Sequence, residues 1–257
     1  MSEDKPLYPT DPPPESGRDP EPLPESPETP PPRLNVFQRF VGVFANPRLT
    51  FADIIARPEW VVPLIILVLA SVIMVQLSLP AITADQERAL DRLVEEGRIT
   101  PEQAEQGREA RAAATRSMAV IFAGLGTVFY AVLIAAALLF IGNIVLRGKA
   151  SYRQMFSVYA WSGLVGVLGM IIRLPLIRRQ NTMQVQFSPA TFFPEEASET
   201  VLYRIAASLD VFLIWQLVLV AVAFTLLYRV GMGKALGVLA AFYAVLVAIG
   251  IIVQGMF

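Results

Sequence analysis

The chain has 257 residues, 54% of them hydrophobic, with 21 basic and 22 acidic side chains, no histidine and no cysteine. A mean hydropathy of +0.53, gathered into a few long apolar blocks, marks an all-α integral membrane protein and not a soluble domain. The missing Cys and His exclude disulfide frameworks, Cys/His zinc sites, haem ligation through either residue and every nucleophile–histidine mechanism, whereas the net charge of −1 excludes nothing, because it averages an acidic tail with basic loops.

Residues 1–33 read as an acidic, proline-rich tail. Twelve of the twenty prolines and eight acidic residues fall within 1–32, against Lys5 and Arg18. So little apolar surface does not offset chain entropy, and the composition predicts disorder with polyproline II character. The start lacks a basic n-region and an apolar h-region, so no secretory signal peptide is expected. Pro6/Pro9 and Pro24/Pro27 have the PxxP spacing that docks aromatic grooves. At this proline density such spacings arise by chance, and a solvated tether is the simpler reading.

Residues 34–45 change character. Leu34, Phe37, Phe40, Val41 and Phe44 recur at helical spacing, with Asn35, Gln38 and Arg39 opposite. The pattern predicts a short helix that either lies in the headgroup plane, aromatic face down, or packs on the protein's own cytosolic side. Asn46-Pro47 reads as an N-cap followed by proline at the first helical position of a second short helix. Pro58 ends it, and Trp60 stands where an interfacial aromatic belongs.

Five spans follow, at about 61–80, 118–146, 154–173, 211–228 and 235–254. A helix of about 20 residues crosses a hydrocarbon core about 30 Å thick. Pro63 falls in the first turn of the first span, and Pro80 is expected to mark its far end. Residues 84–116 alternate acid with base. Thr100-Pro101-Glu102-Gln103 is a capping-box start and Gly97 a C-cap, which predicts a helical hairpin extending the first two spans into water. Its charges read as solvated pairs, Glu87/Asp91 facing Arg88/Arg92, and not as a metal site.

The second span carries Ala119, Ala123, Thr127, Ala131 and Ala135 at four-residue spacing, a face for close helix approach. Asn143 continues that face and is expected to bond another helix or to line a polar path. In the third span Tyr159, Trp161 and Ser162 precede Gly163, Gly166 and Gly169, which suggest tight packing or a bend. Arg147, Lys149 and Arg153 crowd the short bridge between these spans. Each cation costs roughly 2.5–3.5 kcal/mol at mid-membrane, so the bridge belongs in water. Arg173 lies far enough along the helix, about 30 Å from Arg153, to be a snorkelling anchor at the other interface. Residues 178–207 read as a second polar outer loop. Arg229, Gly231, Gly233 and Lys234 make another basic turn, and Ala240, Ala244 and Ala248 a second small-residue face.

Five spans put the termini on opposite sides. From Arg33 onward, nine Lys and Arg fall on the tail side and ten on the other, so counting does not decide. The turns at 147–153 and 229–234 are short and free of acids, which predicts a cytoplasmic N-terminus and an extracytoplasmic C-terminus in the cell membrane.

Several stretches resemble the Yip1 family as found in bacterial membrane proteins. They are Phe40-x-x-Val43-Phe44-x-Asn46-Pro47-x-x-Thr50-Phe51, then Arg57-Pro58-x-Trp60 with Pro63-Leu64, Gly148-x-x-Ser151-Tyr152-Arg153-Gln154, and Leu209-Asp210-x-Phe212-x-x-Trp215. The resemblance runs from about residue 34 to 255. Gly163 stands where the family often has proline, and the 84–116 hairpin is enlarged. The resemblance implies five membrane helices and a cytosolic N-terminus. It supplies no catalytic residues, and the link of eukaryotic relatives to Rab-type GTPases is not carried over.

The expected function is a non-enzymatic membrane scaffold or adaptor, without cofactor, metal or nucleic acid. Arg39, Phe40, Arg48, Arg57, Trp60, Arg147, Lys149 and Arg153 would contact lipid headgroups or a cytosolic protein partner, at about 1 kcal/mol per basic residue near an anionic surface. The alternative is a small-solute or lipid transporter with Asn143, Asp210 and Gln216 as intramembrane polar groups. Proton coupling is disfavoured, because Asp210 is the only carboxylate at a span's edge and reads equally as a helix cap. The alanine faces allow packing within one chain or in a homo-oligomer.

Overall fold

The computed structural model describes residues 32–194 and 200–256, with side chains except at 109–117 and 254–256. Residues 1–31 of the tail therefore lie outside the described residues. The described chain is helical, without strands: α1 (Val36–Ala45), α2 (Pro47–Ala56), α3 (Val61–Glu95), α4 (Pro101–Val145), α5 (Tyr152–Ser162), α6 (Leu164–Gln180), a 3₁₀ turn (Pro189–Phe192), α7 (Val201–Ser208), α8 (Val211–Tyr228) and α9 (Met232–Met256). Taking α5 and α6 together, five helical segments are long and apolar enough to cross a membrane.

The bundle is built around α5. Its residues Met155 through Val158 and Ala160 through Ser162 are buried on every side, and α4, α8, α2 and α3 pack around it. The α5–α6 span is the least hydrophobic of the five, with a mean hydropathy of 1.8, yet 61% of it is buried; the last span has 2.8 and only 6%. Lipid demands apolar side chains from a helix it surrounds, whereas a helix surrounded by protein has room for Ser, Tyr and Trp with partners. The outer helices accordingly expose Phe122, Leu125, Phe129 and Phe140 of α4 and Val245, Ile249 and Ile252 of α9, an apolar surface far larger than a soluble monomer carries.

Span two does use its small-residue face. Ala131 and Ala135 are buried, and higher on the same face the Thr127 hydroxyl donates to Ser71 Oγ at 2.9 Å while Ser71 lies 3.2 Å from the Ala123 carbonyl. These bonds clasp α3 to α4 inside the apolar zone. The third span breaks at Gly163, where a Cβ would stand 3.2 Å from Leu67.

One expectation changes. Pro80 does not end the first helix; it sits inside α3, which continues to Glu95. Ala240, Ala244 and Ala248 are exposed, because α9 is an edge helix that turns Ala235 and Leu239 toward the bundle.

Beyond the apolar zone α3 and α4 run on as an antiparallel pair. The Thr100–Gln103 capping box is present, and Arg108 joins Asp91 and Glu105. Glu102, in the first turn of α4, has its pKa held below the usual carboxylate range by the backbone N–H groups and the Thr100 hydroxyl. Asp85 accepts from the Thr182 hydroxyl at 2.9 Å and the Met183 N–H at 2.7 Å, tying the end of α6 to α3.

Candidate membrane-interface site

Two caps and one glycine make the α1–α2 hairpin. Asn35 and Gln38 form a capping box at the start of α1. Asn46 caps α2, with Pro47 in its first turn. At Gly42 any Cβ would stand 2.2 Å from Thr50 Oγ1, so only glycine lets the two helices close.

The hairpin is held by a buried charge cluster. Arg39 Nε donates to Asp53 Oδ2 at 2.7 Å, and its terminal nitrogens reach Glu59 Oε2 at 2.9 Å and the Arg57 carbonyl at 3.3 Å. Arg57 pairs with the other oxygen of Asp53 through Nε at 2.8 Å. Arg39 and Asp53 are 2% and 0% exposed. The expectation that Arg39 meets lipid or a partner is thus corrected: its guanidinium points inward, because Asp53 lies across the hairpin. Asp53 and Glu59 were missed. The available signal was that Asp53 is the only acid between Glu28 and Glu59, and a lone carboxylate in an apolar helix asks for a cation.

The apolar face of α1 is turned the other way. Phe37 is 73% exposed, with Phe40 and Val41 beside it, while Val43 is buried. A soluble amphipathic helix does the reverse, so this apolar face is left open by the protein's own packing. The hairpin does not lie apart in the headgroup plane. Val43, Phe51 and Ile54 enter the core with Val158, Trp161 and Leu164, and Phe44 packs edge-on against Trp215 at 5.9 Å. Trp161 Nε1 donates to the Glu59 carbonyl at 2.8 Å and Gln154 Nε2 to the Ile55 carbonyl at 3.2 Å. Trp60 stacks edge-on with Phe156, so it is half inside the protein.

Beside this hairpin lie the basic turns. Ser151 and Gln154 form a capping box at the start of α5. Asn143 brackets Ala150, donating to its carbonyl at 3.1 Å and accepting its N–H at 3.0 Å. Tyr228 fills a slot between Gly142 and Gly148, where a Cβ would stand 2.2 Å from its hydroxyl oxygen and 2.0 Å from its ring, respectively. The turn of the α4–α5 bridge and that of α8–α9 are thereby fused at one end of the bundle. Arg147 and Arg229 sit there in the left-handed region, at φ 54° and 50°. Arg147, Lys149, Arg153, Arg229 and Lys234 are exposed, and none joins a salt bridge among the described residues. Arg48, in the first turn of α2, is exposed too.

A family model for the Yip1 domain matches residues 41–253. The chain belongs to the Yip1 domain family. No curated protein and no solved structure matches it.

Within this Yip1 domain the intramembrane polar residues do not meet. Asn143 serves the α4–α5 turn; it bonds no other helix through its amide and holds a loop in place. Asp210 caps α8, accepting from the Phe212 and Leu213 N–H groups at 3.0 and 3.2 Å, and pairs with Arg173. Arg173 lies over the rings of Phe187 and Phe212 at 5.7 and 5.4 Å. Besides the interfacial place expected of it, Arg173 thus has a paired role, linking α6 to α8. The Gln216 side chain reaches the Tyr159 hydroxyl.

Proposed function

We propose that this protein is a non-enzymatic scaffold or adaptor of the cell membrane, with its N-terminus cytoplasmic and its C-terminus extracytoplasmic. The observation that carries the reading is the division of charge at one end of the bundle. The cations inside the α1–α2 hairpin are consumed by Asp53 and Glu59, whereas Arg147, Lys149, Arg153, Arg229 and Lys234 project unpaired beside an aromatic face. That arrangement suits anionic headgroups or an acidic cytosolic segment, each cation near the surface contributing about 1 kcal/mol. The small-solute or lipid transporter stays the alternative, and it draws little from Asn143, Asp210 and Gln216, each already engaged locally.

The test is lipid retention. Full-length protein in nanodiscs of mixed phosphatidylcholine and phosphatidylglycerol should enrich the anionic lipid. The triple variant Arg147→Gln, Lys149→Gln, Arg153→Gln should lose that enrichment at unchanged thermal stability. Enrichment unaltered by the triple variant refutes the assignment of these cations to headgroups. Solute flux through liposomes that Gln216→Ala abolishes would refute the scaffold.

A further inference from the structure

At the opposite end from the basic turns, two cavities adjoin. One, of about 710 Å³, lies under the 184–192 loop against the end of α6, and its rim carries Gln180, Gln184, Gln186, Ser188 and Thr191 above an apolar floor. The other, of about 480 Å³, is an almost wholly apolar groove between α8 and α9, closed at its upper end by α7. Leu209 and Ile214 line both, so a cavity with amides and hydroxyls on its rim shares a wall with a hydrocarbon-lined one. The exposed Ala240, Ala244 and Ala248 form the floor of the groove. From Leu236 to Ile251 it follows α9 for about 22 Å, against about 15 Å for half of a hydrocarbon core.

We infer that the two cavities are one site for a membrane lipid, its acyl chain in the α8–α9 groove and its head under the 184–192 loop. The head is uncharged and bears hydroxyl groups. Among the described residues no charged side chain lines either cavity, Arg173 is already paired with Asp210, and the side-chain amides of Gln180 and Gln184 have no partner there. An amide both donates and accepts, as a hydroxyl does, so it matches a polyol better than a phosphate. The small side chains of the stripe leave the width that a chain needs. This site is independent of the basic end and stands or falls apart from the scaffold reading.

The probes are monoglucosyl diacylglycerol and phosphatidylglycerol of matched chains, titrated onto full-length protein and read by native mass spectrometry. The glucosyl lipid should bind at least tenfold more tightly. Ala244→Trp, which fills the groove from its lipid-facing side, should weaken it at least tenfold, and so should Gln180→Ala with Gln184→Ala. Ala248→Phe repeats the groove test at a second exposed position, and a melting temperature within a few degrees of the parent shows that each variant is folded. Equal or tighter phosphatidylglycerol binding overturns the proposal. So does an affinity within twofold of the parent in both groove variants, or the loss of a dimer on Ala244→Trp, which would make the groove a seat for a second copy.

Discussion

Removing either member of the buried Arg39–Asp53 pair should release the N-terminal hairpin, and the two removals should differ. Deleting one partner of a buried ion pair costs about 3–5 kcal/mol, because the other charge is left without compensation. After Arg39→Ala, Asp53 keeps Arg57 through the 2.8 Å bond, so the loss should fall near the bottom of that range, at about 3 kcal/mol. After Asp53→Ala, Arg39 stays buried with Glu59, whose side chain is 62% exposed, as its remaining carboxylate, so the loss should approach about 5 kcal/mol. Glu59→Gln, breaking the solvated arm, should cost less than about 1 kcal/mol. The double replacement Arg39→Met with Asp53→Leu removes both buried charges and should recover to within about 1 kcal/mol of the parent. The three tryptophans report the event directly: Trp161 bonds Glu59, Trp215 meets Phe44, and Trp60 follows α2. Denaturation by SDS in mixed micelles, followed by tryptophan emission, measures each variant. If Asp53→Ala costs no more than Arg39→Ala, or if both cost under about 1 kcal/mol, the pair does not hold the hairpin.

Other variants probe the fused turns and the topology. Gly142→Ala and Gly148→Ala drive a methyl into the Tyr228 ring and should each destabilise by about 1–3 kcal/mol, with Tyr228→Leu restoring much of the loss in the double variants, as melting in detergent would show. Asn143→Leu leaves the Ala150 N–H and carbonyl unpaired and should lose about 1–3 kcal/mol by the same assay, a cost absent if water replaces the amide. Because the chain has no cysteine, Lys149→Cys and Arg98→Cys give clean labels: an impermeant maleimide should reach Arg98→Cys from outside intact cells and Lys149→Cys only after the membrane is opened. The reverse pattern overturns the orientation.

The spans, caps and turns were legible because their causes are local. Thr100 with Gln103, Ser151 with Gln154 and Asn46 before Pro47 each satisfy helix-end N–H groups within four residues, and hydropathy over twenty residues is set by the lipid itself. The hairpin's interior was not legible, because Arg39 and Asp53 are 14 positions apart and no periodicity announces such a pairing. Helical spacing located the aromatic and polar faces of α1 correctly but not which of them turns inward. In water that assignment follows from hydrophobicity; at a bilayer both directions are apolar, and the buried partner decides. The same ambiguity attends the alanines of α9, which are exposed and line a groove: small residues permit close approach without saying what approaches.

The stretches that resemble the Yip1 family take on a physical meaning once placed. Val43 and Phe51 fill the core behind the hairpin, and Trp60 and Tyr152 both pack on Phe156. Asn46, Pro47, Ser151 and Gln154 set helix ends, and Gln154 also bonds the Ile55 carbonyl. These residues therefore specify how an amphipathic hairpin is seated in a bundle whose central helix is its most polar. The five cations of the basic turns and the amides of the far cavity, unpaired among the described residues, lie at the two ends. The packing stretches thus account for the fold, and specificity for lipid or partner rests with side chains that the fold leaves without an internal task. A chimera that keeps the packing stretches and exchanges only those end residues should fold like the parent while changing which lipids it retains. If it retains the parent's lipids, that division of labour is wrong.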